Sequence, residues 1–507
     1  MKSSTRTHNS LRNSSTAIIC KILVTVLSFV TRTLFVKYFG KEILGIEGLF
    51  ANIINVLNLA DLGISTAVVF LLYKHIAENN EKKTAAIISY LNRFYLIIGC
   101  VVLGIGVALI PLLPHLVNLD RTIDHLNLYY VLTILITSSS YFFASRRIIF
   151  EANQNSYIIN ITDCIAAFVS TGVKLIVLFT SRSYAMYLAI AIISNLATNI
   201  VIHCIGNKKY KELKTYKTEK LSKEEKKDLY KNVSAVMSHK VGTVLVTGTD
   251  NILISVLLNT LLVGIYSNYL LIINSLMSII VLAINAITPS VGNLKETSTS
   301  VEHDYTVYKQ INLATFWITS VTAVCLFVLF NTFINAWLDA SYLFDLPVVF
   351  ILCFNYYVSL MRFGVGAFAT AAGYFKKTWY KPYLEGIINL VVSIILAPYL
   401  GVFGVFLGTT ASLFLGSVWL DPVVTFKHWF KKSPMKYFIS YLVQLVVLFI
   451  MGVTCYYITN LINITANVWL DFIAKGCVCF GLATIIALIF SFKTKECKSL
   501  LNKILKK

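Results

Sequence analysis

The sequence predicts an all-α polytopic membrane protein of about 14 transmembrane helices, arranged as two six-helix lobes in a parallel pseudo-twofold repeat with two further helices at the C-terminal end. Three observations carry that expectation. A chain of 507 residues that is 57% hydrophobic and 13% charged, with mean hydropathy +0.73, has too little polar surface for a soluble globule. Its apolar residues gather into fourteen runs, most of them long enough to cross a hydrocarbon core of about 30 Å as helix. Finally, part of the pattern of the first two runs returns 219 residues later.

The runs fall near residues 16–36, 43–73, 84–113, 125–145, 158–179, 185–206, 233–257, 263–290, 311–336, 347–372, 384–398, 403–426, 437–458 and 469–492. Pro398 and Gly401 leave only a tight turn between the eleventh and twelfth. The first run follows a basic, polar stretch and is too long for the apolar core of a cleaved signal, so it reads as a span. With the N-terminus inside, the outer loops hold only Lys37, Lys41, Arg121 and Arg182, while inner loops and tail collect most of the 44 Lys and Arg. That asymmetry places both termini in the cytoplasm. The expected organisation is an N-terminal lobe over 1–206, a basic cytoplasmic linker over 207–232, a C-terminal lobe over 233–430, and accessory helices with a basic tail over 431–507. The net charge of +20 then reports topology and a bilayer partner, not nucleic acid. The linker carries ten lysines in 26 residues and reads as a solvated connector or as a surface that draws an anionic headgroup.

In the repeat, Lys21 recurs as Lys240, Ser28 as the hydroxyl of Thr247, Gly45-Ile46 as Gly264-Ile265, Ile53-Ile54-Asn55 as Ile272-Ile273-Asn274, and Leu57 as Leu276. Six spans per half is an even number, so the copies run in the same direction, and a transporter of that design binds its cargo between the halves near mid-membrane. Lys21, Thr25, Ser28 and Arg32 share one helix face by spacing, and Lys240, Thr243, Thr247 and Asp250 rebuild the stripe. A charged side chain inside a span costs roughly 3 kcal/mol and is usually turned towards protein or water. Repeated inward cations therefore suggest a cavity for something negatively charged.

Five cations stand out as candidate ligand contacts: Lys21, Arg32, Lys174, Lys240 and Arg362, with Arg93 at an inner end. Lys21 and Lys240 lie close enough to the inner interface to snorkel, Arg32 approaches the outer one, and Arg362 lies mid-span, where snorkelling is a long reach. Lys174 shares a face with Asp163, which offers it a local counter-charge. Asp61, Asp163 and Asp250 are open to two readings, binding of a coupling ion or proton and structural pairing with a neighbouring cation. Lys475, four residues after Asp471, reads as a local pair. No cofactor or metal motif appears: the ten cysteines show no CxxC or metal-ligand spacing and read as packing thiols. The longest outer loop, 114–124, leaves no room for an external catalytic domain, and no P-loop, HExxH or GxSxG pattern is present, so an enzyme or an ATP-driven pump is disfavoured.

Arg32-Thr-Leu-Phe-Val-Lys-Tyr-Phe-Gly, Leu44-Gly-Ile-Glu-Gly-Leu-Phe, Asp61-Leu-Gly-Ile, His239-Lys240-Val-Gly, Thr249-Asp250-Asn251-Ile-Leu-Ile-Ser, Gly264-Ile-Tyr-Ser-Asn-Tyr and Tyr380-Lys-Pro-Tyr-Leu-Glu385 together resemble bacterial Wzx-type polysaccharide flippases. The resemblance covers nearly the whole chain. It implies the MATE-like fold of the multidrug/oligosaccharidyl-lipid/polysaccharide exporter superfamily. The implied cargo is an undecaprenyl-diphosphate-linked oligosaccharide for surface polysaccharide such as O-antigen or capsule, carried from the inner to the outer leaflet of the bacterial cytoplasmic membrane. Alternating access through a cationic cavity, coupling to Na+ or H+, and polysaccharide polymerase and glycosyltransferase partners belong to the same expectation. The alternative is a MATE-type ion-coupled exporter of small molecules. A site for cationic drugs should show acids outnumbering bases in the spans, and here bases lead.

Overall fold

The computed structural model describes residues 3–58, 64–120, 122–216, 221–227, 229–230, 233, 244, 248–285, 287–298, 300–374, 378–462 and 467–505. Among the described residues, regular structure is entirely helical, and ten helices are long and apolar enough to cross a membrane. An eleventh span results when two helices bent by 45° at Phe142–Phe143 count as one. The difference from fourteen has a simple cause. The first two runs share α1 (Ser3–Leu57), which turns at Gly40. The eleventh and twelfth share α13 (Lys381–Leu415), which turns at Gly401 beyond Pro398. Both glycines have positive φ, 74° and 59°, a region that a Cβ makes costly. Most of the run 233–257 lies outside the described residues.

The chain divides into two compact units, Met1–Gly264 and Ile265–Lys507. In the first, α1 is followed by α2 (Ile64–Ala77), α3 (Glu81–Ala108), the bent pair α4 (Leu126–Tyr141) and α5 (Ala144–Ala152), α6 (Ser156–Thr180), α7 (Tyr184–Lys209) and α8 (Asp250–Leu257). The start of α9 (Thr260–Asn285) closes the unit. Ile46, Leu49, Phe50 and Ile53, past the Gly40 turn, pack on Leu113, Tyr130 and Ile134. The turn before α9 is clamped by the loop after α3: the Asn118 backbone exchanges hydrogen bonds with Thr260, 2.8 Å each way, and Ser255 Oγ donates to Leu116 O at 2.7 Å.

The repeat has a physical counterpart inside this unit. A Cβ on Gly45 would meet Thr260 O at 2.2 Å, and one on Gly264 would meet Lys41 O at 2.4 Å. Positions 41 and 45 precede 260 and 264 by the same 219 residues, so equivalent glycines sit against each other's equivalent neighbours, as at a two-fold contact. Glycine recurs here because two helix backbones touch.

The linker is also more than a solvated tether. Leu213, Leu221 and Leu229 are buried in a cluster with Ile88 and Leu91 of α3 and Val68 and Leu72 of α2. Other apolar side chains stay outside: Ile19, Val26 and Val30 of α1 and Ile165, Val169 and Ile176 of α6 are exposed in stripes. Such stripes are stable only against hydrocarbon.

The second unit holds the rest of α9, α10 (Thr288–Thr297), α11 (Val301–Trp337), α12 (Leu346–Ala371), α13, α14 (Ser417–Thr425), α15 (Met435–Asn460), α16 (Val468–Ser491) and α17 (Lys495–Leu505). Tyr308, Phe368, Phe426 and Phe430 form an aromatic knot at one end. Asn355 Nδ2 donates to Phe406 O at 2.9 Å and Asn355 Oδ1 accepts from Thr410 at 2.7 Å, which satisfies a buried amide between α12 and α13. Lys475 pairs with Asp471 at 2.7 Å, one turn away as its spacing predicts. Lys309 with Glu496, and Gln310 Nε2 with Ser499 Oγ at 3.1 Å, dock α17 on α11.

Candidate functional site

The first unit gathers two of the candidate cations around one acid. Arg32 and Glu47 are fifteen residues apart, about 22 Å along a straight helix. The reversal at Gly40 brings them within 3.8 Å, with side chains 19% and 35% exposed. Lys174 arrives from α6, whose Ser156, Asn160, Asp163, Ser170 and Lys174 lie on the face opposite the exposed Ile165, Val169 and Ile176. Its ammonium sits 4.6 Å from the centre of the Tyr187 ring and within electrostatic reach of Glu47. Tyr187 and Tyr184 stack 6.2 Å apart at the start of α7, and Phe35 and Phe39 meet both edge-on. The Tyr184 hydroxyl is buried without a hydrogen-bond partner, a spare donor beside the charges. Arg32 and Lys174 carry two positive charges and Glu47 one negative. Two cations beside an aromatic surround are the chemistry that holds phosphate oxygens.

Lys21 lies on the same α1 stripe, exposed, and has no ion pair among the described residues. Asp163 is not the partner of Lys174. Arg147 of α5 holds it in a bidentate pair at 2.8 and 2.9 Å, and Arg147 Nε donates to Asn199 Oδ1 at 3.2 Å. Asn199 Nδ2 donates to Asn195 Oδ1 at 3.0 Å, and Asn195 Nδ2 to Ser140 Oγ at 2.7 Å, so the network ties α4, α5, α6 and α7. Sequence reasoning missed Arg147 because the fourth apolar run ends before it. The bend at Phe142–Phe143 carries it to α6.

In the second unit, Arg362 Nη1 donates to Ser417 Oγ at 2.7 Å and lies 3.9 Å from Glu385. Ser417 also bonds to Glu385, whose side chain is 7% exposed. Gly416 makes room, since a Cβ there would meet Glu385 Cγ at 2.3 Å. One turn earlier on α13, Lys381 pairs with Asp421 at 2.5 Å. Glu385 was legible only as part of a motif; its i, i+4 spacing from Lys381 was the available sign that this face of α13 is charged. Asp250 is buried in the first turn of α8, where the helix dipole favours a carboxylate. Lys240 and Asp61 lie outside the described residues. Among the described residues no group of three His, Cys, Asp or Glu is disposed to hold a metal ion.

A family model described as "Polysaccharide biosynthesis protein" matches residues 10–295. No curated protein matches the sequence. Among solved structures, the chain is similar to lipid II flippase MurJ in an inward closed conformation, with TM-score 0.67, 16% identity, and 94% of this chain and 98% of that one covered. It is also similar to an inward-facing multidrug resistance MATE family transporter of the MOP superfamily, with TM-score 0.62, 13% identity, and 80% and 96% covered. A MATE transporter from Vibrio cholerae gives TM-score 0.56 at 13% identity, with 85% and 99% covered. The fold is the one these transporters share, and the family match spans more than half of the sequence: the chain belongs to the polysaccharide biosynthesis protein family.

Proposed function

We propose that the chain flips an undecaprenyl-diphosphate-linked oligosaccharide from the inner to the outer leaflet of the bacterial cytoplasmic membrane for surface polysaccharide assembly, by alternating exposure of a cationic site. The observation that carries the reading is the gathering of two cations, Arg32 and Lys174, around Glu47 and against the aromatic wall of Tyr184 and Tyr187. A diphosphate suits paired cations, the neighbouring tyrosine rings suit a sugar, and the spare Tyr184 O–H can donate to an acceptor on the cargo. Arg32 and Lys174 are its contacts in this reading, Lys21 the cation met on entry, and Lys240 and Arg362 further contacts. Asp250 and Asp61 are the candidates for binding Na+ or H+. The family match, and a structural neighbour that is a lipid II flippase, support a lipid-linked cargo. The sign of the cluster favours this reading over export of cationic drugs. Both termini face the cytoplasm in this reading, and the chain works beside the polymerase and glycosyltransferases of its polysaccharide.

The test is translocation of a lipid-linked oligosaccharide by protein reconstituted in vesicles. Charge-assisted hydrogen bonds are worth about 1.5–3 kcal/mol, so Arg32→Gln and Lys174→Gln should each slow translocation about ten-fold or more with little loss of folded protein. Glu47→Gln, which adds to the net positive charge, should tighten cargo binding. Unchanged translocation in the doubly substituted, well-folded protein would overturn the assignment.

A further inference from the structure

Along the N-terminal half of α3 the docked linker builds a second cationic feature. Linker residues Leu221 and Leu229 are buried against α3. Ser222 and Glu225 cap each other reciprocally, the Ser222 N–H donating to Glu225 Oε2 at 2.8 Å and the Glu225 N–H to Ser222 Oγ at 3.2 Å. Glu225 Oε1 also accepts from Lys83 Nζ at 2.6 Å, so these charges are already matched. Beside them the Tyr90 and Tyr230 hydroxyls bond to each other at 2.5 Å. One phenol proton is used in that bond; the other is free to donate outward. Lys226 Nζ stands 5.6 Å from the centre of the Tyr90 ring.

Arg93 follows Tyr90 by three residues on α3 and is exposed, with no ion pair or hydrogen bond among the described residues. Its face of the helix continues through Leu96, Ile97, Cys100 and Val101, all exposed. That apolar stripe is a hydrocarbon-facing surface, so Arg93 stands at the height where the span leaves the acyl chains and headgroups begin. We propose that Arg93 and Lys226, with the Tyr90–Tyr230 hydroxyl pair, hold the headgroup phosphate of an anionic phospholipid that bridges α3 and the linker. The lipid reading rests on continuity: the cations are reached from the lipid-facing stripe, and a bound headgroup leaves its chains along Leu96, Ile97 and Val101. The bridged linker is thereby pinned to α3 by an anion as well as by its leucines.

The experiment uses the full chain in neutral detergent, titrated with short-chain phosphatidylglycerol and, in parallel, phosphatidylcholine. Phosphatidylglycerol should bind at least ten-fold more tightly. One cation near a headgroup is worth about a five-fold change in affinity, so Arg93→Gln and Lys226→Gln should each weaken phosphatidylglycerol by about that factor. The double substitution should erase the preference, and Arg93→Lys should keep most of it, which separates charge from folding. Equal affinity for the two lipids in the unaltered protein would overturn the proposal, as would a preference that survives the double substitution. Competition by inorganic phosphate as strong as that by phosphatidylglycerol would also overturn it, because the site would then read free phosphate and not a lipid.

Discussion

The two polar clusters within the spans are built from similar parts and balanced differently. Around Glu47, Arg32 and Lys174 answer to one carboxylate that remains 35% exposed. In the second unit Arg362 has Glu385, 7% exposed, and Lys381 has Asp421, so each cation owns an acid. Desolvating a charge is expensive, and a buried pair recovers that cost only when both partners are present. The balanced network is therefore built to hold helices α12, α13 and α14 together. The Glu47 cluster instead sets two cations about one more exposed carboxylate, an arrangement suited to an anionic ligand.

The largest expected effect separates the clusters by stability. Glu385→Gln removes the carboxylate beside Arg362 and should cost about 3 kcal/mol, roughly a 100-fold loss in the folded-to-unfolded ratio. Glu47→Gln breaks a more exposed pair and should cost less than about 1 kcal/mol. Thermal unfolding of the two purified variants in detergent decides the matter, and equal shifts would dissolve the distinction. Arg362 lies mid-span by sequence, where snorkelling is a long reach, and that makes it a candidate for cargo. Its structural partner changes how its substitution must be read, because Arg362→Ala also strands Glu385. Export by the paired substitution Arg362→Met with Glu385→Leu, normalised to folded protein, separates the two roles.

What the sequence made legible follows periodicity and composition. The spans, the face shared by Lys21 and Arg32, and the recurrence of Gly45 as Gly264 all depend on local spacing, and local spacing survives folding. The pairings did not. Glu47 meets Arg32 only because Gly40 reverses the chain, and Arg147 reaches Asp163 only because a helix bends at Phe142–Phe143. A kink is a single dihedral event inside an apolar run and leaves almost no compositional trace. The docked linker was hidden differently: Leu213, Leu221 and Leu229 are eight residues apart among lysines, so the charge masked the apolar face.

Glycine supplies the next, smaller contrast, because each cluster depends on one. Gly416→Ala places a methyl where Glu385 Cγ stands and should cost about 1–3 kcal/mol through overpacking. Gly40→Ala meets no neighbour within 4 Å, but its φ of 74° and ψ of −173° lie in a region open essentially to glycine alone, and the strain should cost about 1–3 kcal/mol. The stability losses are similar in kind, yet the functional readouts should diverge. Gly40→Ala disturbs the turn that sets Arg32 against Glu47 and should lower translocation per folded molecule, whereas Gly416→Ala should lower only the amount folded. A translocation assay normalised to folded protein checks both.

The smallest effect belongs to a balanced pair outside the spans, Lys83 with Glu225, which shows what matching charges contributes when water is near. The hydrogen bond from Lys83, with the backbone of Ser222, holds the Glu225 carboxyl below its ordinary range. A depressed carboxyl contributes stability that is fully present above its unfolded value of about 4.3 and disappears as pH falls through the folded value. Docking of the linker at Leu221, Glu225 and Leu229 should therefore hold steady from pH 7 to about 5 and loosen below it, and Glu225→Gln should flatten that dependence. Amide exchange in this segment, referenced at each pH to the rate of the unstructured peptide, measures the change. Solvent screening limits it to a few tenths of a kcal/mol. A loosening as large as that expected for Glu385→Gln would mean that exposure does not govern the worth of these pairs, and the contrast between the two membrane clusters would lose its basis.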